Sequence, residues 1–192
     1  MPANFTKHAI MEAFLSLASQ KALQKITVKD IVDECGINRN TFYYHFQDIY
    51  ALVDELFLAH AETAIKDVAA GMSWTEAFIA RAEEMAERPR VYAGICRSID
   101  RERLDDYFCT VAERVIPRII HGAAPALRIT DADMARIIAF YSYAVGGLWA
   151  DWVGNGMREN ARDFIEGSTR LFSDGFRSAV LNAAKGAEPT AQ

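Results

Sequence analysis

The stretch from Ile26 to Phe46, ITVKDIVDECGINRNTFYYHF, reads as a helix, a turn and a second helix. Thr27 is a residue type that caps helix N-termini. Asp30, three positions on, imitates a capping box in which Glu or Gln is the usual partner. Val28, Ile31, Val32 and Cys35 then recur at helical spacing. Gly36 follows directly, where a chain leaving a helix adopts a positive φ that glycine tolerates best. Ile37 is apolar and suited to plug the angle between two helices. Asn38 is a second N-cap, and a short helix is expected from Arg39 to about Phe46. Two helices joined by a short glycine-containing turn form the DNA-binding helix-turn-helix.

The second helix has two faces. At about 100° per residue, Thr41, Phe42, His45 and Phe46 share one side, anchored by the two phenylalanines. Arg39, Asn40, Tyr43 and Tyr44 share the other. Arg bonds bidentately to guanine, Asn to adenine, and Tyr hydroxyls hold phosphates or meet bases. The alternative is a connector helix whose aromatic residues are buried against a neighbour.

Taken together, cap, turn and aromatic pattern resemble the TetR/AcrR family of transcriptional regulators. The residues that carry the resemblance are Thr27 and Val28, Ile31 and Val32, Cys35-Gly36-Ile37, and Thr41-Phe42-Tyr43-Tyr44-His45-Phe46. The run through Tyr50 is most similar to the subgroup typified by the activator of dihydroxyacetone kinase operons. The strong match covers about the first sixty residues. It implies an all-α protein of about nine helices, with a three-helix DNA-binding domain over 1–48 and a helical sensing and dimerisation domain over 49–192. The sequence departs from the family at Ile49, where many members carry a phosphate-holding Lys. That contact is lost or passes to Tyr50 or a backbone N–H. Residues expected at DNA are therefore Thr27, Val28 and Lys29 at the first helix start, Asn38, Arg39, Asn40, Thr41, Tyr43, Tyr44 and His45 at the second, and Tyr50 beyond.

Charge gives this reading only local support. The chain carries a net charge of −5, and its first 63 residues hold five Lys/Arg against eight Asp/Glu. A generally basic domain is absent. Lys25, Lys29 and Arg39 cluster at the two helix starts, whose backbone N–H groups also attract phosphate. Weak non-specific binding and reliance on specific dimeric contact follow.

Upstream, Ile10, Ala13, Phe14, Leu17 and Ala18 form an apolar stripe on a helix over residues 5–20. Downstream, Asp48 caps a long helix to about Ala70, with Leu52, Val53, Leu56, Phe57 and Ala61 on its buried face. Gly71-Met72-Ser73 breaks it. Helices then follow over about 75–87, from Pro89, and from Arg101 to His121, where Pro117 is expected to kink or end the helix. Residues 122–129 read as a loop, and the tail after Ala183 as frayed.

The helices over 131–153 and 160–181 carry the second inference. IIAFYSYAVGGLWADW, from Ile137, is apolar nearly all round and needs partners on more than one side. Gly146 and Gly147 each cost about 1 kcal/mol relative to Ala, which close approach of another helix would offset. The residues alone allow these helices to complete the monomer core. The resemblance implies instead a homodimer on a palindromic operator, its recognition helices about 34–36 Å or more apart. The expected interface comprises Tyr143, Gly146, Gly147, Ala150, Phe172 and Phe176.

A helical sensor would hold a small-molecule effector between helices. The candidates are Trp74, Phe78, Tyr92, Cys96, Tyr107, Phe108, Tyr141 and Trp149, with Arg97 and His121 as polar contacts. Cys35, Cys96 and Cys109 read as reduced thiols of a cytoplasmic protein. A redox pair of Cys96 and Cys109 has no activating environment in the sequence. No transmembrane run, signal peptide, cofactor motif or metal-ligand spacing appears, and His8, His45, His60 and His121 are scattered. An enzyme is the competing class and lacks any catalytic motif. The expected function is a dimeric repressor released by an effector. The alternatives are an activator governed by a protein co-regulator, which the resembling subgroup includes, and a helical adaptor that binds no DNA.

Overall fold

A computed structural model describes residues 3–186. Among these residues the chain forms nine α-helices and one short 3-10 turn. The helices are α1 (Ala3–Gln20), α2 (Val28–Cys35), α3 (Arg39–His45), α4 (Ile49–Ala69), α5 (Trp74–Ala86), α6 (Pro89–Ser98), α7 (Arg101–Ala123), α8 (Asp131–Gly154) and α9 (Ala161–Gly186). The turn, Leu23–Lys25, joins α1 to α2. None of the helices is long and apolar enough to cross a membrane.

Local chemistry sets the boundaries of α2 and α3. Asp30 N donates to Thr27 Oγ1 at 3.2 Å, and Thr27 N donates to Asp30 Oδ2 at 2.8 Å, closing a reciprocal capping box. Gly36 leaves α2 at φ +68°, and Ile37 N donates back to Val32 O. Asn38 Oδ1 accepts from Thr41 N at 2.8 Å and opens α3. Asp48 Oδ1 does the same for α4, accepting from Ala51 N at 2.7 Å. Ile10, Phe14, Ile31, Phe42 and Leu52 lock these helices around one fully buried centre. That core continues through α5 and α6 into Trp152, Val153, Phe164 and Ile165, so packing runs uninterrupted across the expected 48/49 boundary.

A second, smaller core lies among α7, α8 and α9, built on Ala112, Ile116, Ile120, Ile137, Tyr141 and Val180. It bears on Pro117, expected to kink or end its helix, which it does not end. Pro117 lies inside α7, which runs on to Ala123. A proline there removes one helical hydrogen bond at about 3 kcal/mol. Ile116 and Ile120, buried on either side of it, hold the helix in register. The final helix likewise extends past Ala183 to Gly186, where fraying was expected; the rest of that tail, residues 187–192, lies outside the described residues.

The main core is closed near the start of α9. Trp152 stacks on Phe164 with ring centroids 4.7 Å apart, and its Nε1 donates to Glu159 O at 3.1 Å. Arg162 reaches from α9 to Glu76 at the start of α5. These contacts hold the start of α9 against α5 and the end of α8.

Candidate nucleic-acid interface and helical cavity

The outward face of α3 carries the four side chains expected there. Arg39, Asn40, Tyr43 and Tyr44 are all exposed, while Phe42 and Phe46 are buried. Tyr44 is 81% exposed and meets only the edge of His45, at 5.1 Å between centroids. Tyr43 rests edge-on against Phe42. Burial of the α3 aromatics against a neighbour, the connector alternative, is therefore not what the fold does with the tyrosines. Thr41 and His45 lie half-buried at the flank of this face.

The other expected contacts divide. Lys29 is exposed at the start of α2, but Val28 packs against the core, which leaves its backbone N–H as its outward group. Thr27 and Asn38 are exposed, and their oxygens already serve as caps. Lys21 pairs with Asp30 at 2.9 Å, so it is partly neutralised. Thr27 and then Lys21 hold the Asp30 carboxyl down to about 2.

Tyr50 has a different setting. It is the second residue of α4, 42% exposed, and the Arg103 guanidinium stands 5.0 Å from its ring centroid. Arg103 in turn grips Asp54 through two hydrogen bonds, Nε to Oδ1 at 3.2 Å and Nη2 to Oδ2 at 2.6 Å. The start of α7 is thereby tied to the start of α4, immediately behind the helix-turn-helix.

Between the two cores lies a cavity of about 400 Å³ walled by α4, α5, α7, α8 and α9, with Cys96 of α6. Phe78, Cys96, Tyr107, Phe108, Tyr141 and Trp149 line it, as does Trp74. Tyr92 does not. It belongs to the main core, where its hydroxyl shares a hydrogen bond of 3.0 Å with His60 Nε2. Arg97 and His121 are also outside the wall. The charged and histidine positions come instead from Arg81 on α5 and His60 on α4, beside hydroxyls such as Ser168 and Ser173. Their signal was present in the sequence: His60 is three residues from Phe57, and Arg81 three from Phe78, on faces that turn inward. Burial pushes the Cys96 thiol up to about 12, so it remains a neutral thiol. Burial also raises the Tyr107 hydroxyl, which donates to Phe57 O at 3.4 Å.

Four residues expected between subunits face inward. Gly146, Ala150, Phe172 and Phe176 all line the cavity. The close approach at Gly146 is intramolecular, because an added Cβ would stand 2.5 Å from Phe108 Cγ on α7. Phe176 packs edge-on against Tyr141 at 4.9 Å. Tyr143 remains outside, 61% exposed, with Gly147 half-buried one turn on. Phe140 on α8 and Leu171 on α9, neither in the expected set, are 64% and 75% exposed. Among the described residues no cluster of three His, Cys, Asp or Glu side chains is arranged to hold a metal.

Comparison with known proteins adds a family. The profile described as "Bacterial regulatory proteins, tetR family" matches residues 10–56. That described as "Transcriptional regulator C-terminal region" matches residues 72–174, just over half of the chain. No curated protein matches it. Among solved structures it is similar to the dihydroxyacetone kinase operon activator DhaS, at 20% identity and TM-score 0.66 over 90% of this chain and 97% of that one. A TetR transcriptional regulator from Streptococcus agalactiae 2603V follows at 21% identity and TM-score 0.55, covering 88% and 94%. Thermus thermophilus FadR, a TetR-family repressor in complex with lauroyl-CoA, shares the fold at 16% identity and TM-score 0.52, with the same coverage.

Proposed function

The chain belongs to the TetR family of bacterial transcriptional regulators, DNA-binding proteins rather than enzymes, and from that premise we propose that it acts in the cytoplasm as a homodimeric repressor released by a small-molecule effector. Residues 1–48 read double-stranded DNA, and 49–192 sense and dimerise. The observation that carries this reading is the exposed set Arg39, Asn40, Tyr43 and Tyr44 on a capped helix anchored from behind by Phe42. Arg39 and Asn40 supply base-edge hydrogen bonds, and the tyrosines and the α2 N-terminus supply phosphate contacts. The operator is an inverted repeat because each subunit presents one such face.

The second subunit docks on the outer stripe of α8 and α9, through Phe140, Tyr143, Gly147 and Leu171. Effector binding in the cavity acts through α7, which contributes Tyr107 and Phe108 to the wall and holds Asp54 of α4 through Arg103. A ligand that favours one placement of α7 shifts the separation of the two recognition helices by its differential affinity for the two states. A second reading, an activator worked by a protein co-regulator, is favoured by the same exposed stripe if that stripe receives another protein.

The test is a reporter fused to the promoter nearest a bound operator, read with and without the regulator gene. Repression predicts that deletion raises expression. A fall on deletion would favour the activator, and sedimentation of the purified protein as a monomer would exclude the homodimer.

A further inference from the structure

The cavity is long and narrow. On α7 its wall runs from Leu104 to Ile119, on α8 from Tyr141 to Val153, and on α9 from Ile165 to Phe176. These helices lie side by side: Phe108 meets α8 at Gly146, Trp149 meets Phe164, and Tyr141 meets Phe176. At ~1.5 Å per residue the three stretches measure about 16–22 Å along one direction. A volume of about 400 Å³ spread over that length leaves a mean cross-section of about 18–25 Å².

That cross-section decides what fits. A protein helix is about 10 Å across and cannot enter. A compact ligand of the same volume would be roughly 9 Å in diameter, wider than the slot and about half its length. A single extended alkyl chain matches both measures. At ~30 Å³ for each carbon-sized group, the share of a water molecule, about thirteen groups fill the space. At about 1.2 Å per bond, a third of the reach of an extended residue, they span about 16 Å.

The lining agrees with the shape. Most wall side chains are aliphatic or small, among them Ala61, Val111, Val115, Ile119, Val145 and Ala150. Such a surface offers methyl and methylene contacts, so affinity comes from removing a chain from water. The two basic side chains of the wall are already engaged, Arg81 by Glu84 and Asp67, and His60 by Tyr92. We propose that the effector enters this slot as one unbranched alkyl chain of about a dozen carbon atoms. This rests on the effector reading above and adds the ligand class to it.

Equilibrium dialysis of the full chain against straight-chain 1-alkanols of six to sixteen carbons, kept monomeric, tests it. Affinity should rise about fourfold for each added methylene, turn over at about twelve carbons, and gain nothing beyond. The matching carboxylates should turn over at the same length, and the ratio between the two heads then separates a neutral from an anionic source. Cyclododecanol, corrected for its partitioning into octanol, should bind about tenfold weaker than 1-dodecanol because the ring overfills the slot. Ala150→Phe plugs the slot ~4.5 Å short of Val153 and should bring the turnover forward by about four carbons. Should that variant fail to fold, the series on the unmodified protein decides alone. A rise that continues through sixteen carbons, or a ring that binds as tightly as the straight chain, would overturn the proposal while sparing the effector reading. Binding by none of these molecules would overturn both.

Discussion

Two surfaces, one on α3 and one on α8 and α9, each expose more than one aromatic side chain to solvent, and they do so with different chemistry. On α3, Tyr43 and Tyr44 carry hydroxyls and stand beside Arg39 and Asn40. On α8 and α9, Phe140 and Leu171 have no polar atom, and Tyr143 accompanies them. A tyrosine face edged by donors suits a polyanion whose oxygens need hydrogen bonds. A face of Phe and Leu gains only by removal from water and suits another protein surface. Exposure alone therefore assigns no partner; the polar atoms within the patch do.

Separating the two surfaces by mutation gives the largest expected effect. Arg39→Ala with Tyr43→Ala removes a base contact and a phosphate contact. Bidentate base pairs alone are worth about 1–3 kcal/mol each, so operator affinity should fall about a hundredfold or more in a gel-shift titration. The dimer should sediment unchanged. Retained specific binding would break the assignment of that face.

The converse pair, Phe140→Glu with Leu171→Glu, should weaken the dimer by about 2 kcal/mol or more, the scale of an interface hot spot. Analytical ultracentrifugation would read this as a shift to monomer at micromolar concentration. Affinity for an isolated half-site should be preserved. A dimer indifferent to both charges would move the interface elsewhere.

Gly146→Ala sharpens the boundary between inner and outer faces of α8. Overpacking against Phe108 costs about 1–3 kcal/mol, partly offset by about 1 kcal/mol of helix propensity. A net loss of about 1 kcal/mol is expected in urea unfolding, with the dimer constant unmoved. A changed dimer constant at equal stability would return Gly146 to the interface.

The smallest effect concerns pH. The Thr27 side chain, and then Lys21, hold Asp30 at about 2 when folded, against an ordinary 3.8. A depressed folded pKa gives stability that is present above the ordinary value and lost as pH falls through the folded one. Calorimetry should show the unmodified protein losing more of its thermal midpoint between pH 4 and 2 than Asp30→Asn does, with the two converging near pH 2. Parallel curves would mean that the capping box contributes nothing.

The helix-turn-helix was legible because its instructions are local. Thr27, Gly36, Asn38 and Asp48 each act on backbone groups within a few residues, and each does so in the fold. The C-terminal half was legible as helices but not as faces. A helix apolar all round, like α8, satisfies a core, a cavity and an interface equally, so the inward turn of Gly146 and Ala150, and of Phe172 and Phe176 on the facing α9, is not written in their spacing. Tyr92 and Tyr107 are alike in spacing and composition, and only tertiary packing places one in the core and the other at the cavity. The local cost of Pro117 does not end α7, because Ile116 and Ile120 pack on either side of it. An arginine on an amphipathic helix, such as Arg81, reads as surface until its neighbours are known.

A chain that reads DNA as a symmetric pair leaves that symmetry in the sequences it selects. Selection of bound sequences from random duplex DNA, at a fixed salt concentration, tests it most directly. Enrichment of an inverted repeat whose half-sites are about one helical turn or more apart is expected. Enrichment of nothing by the folded dimer would contradict it.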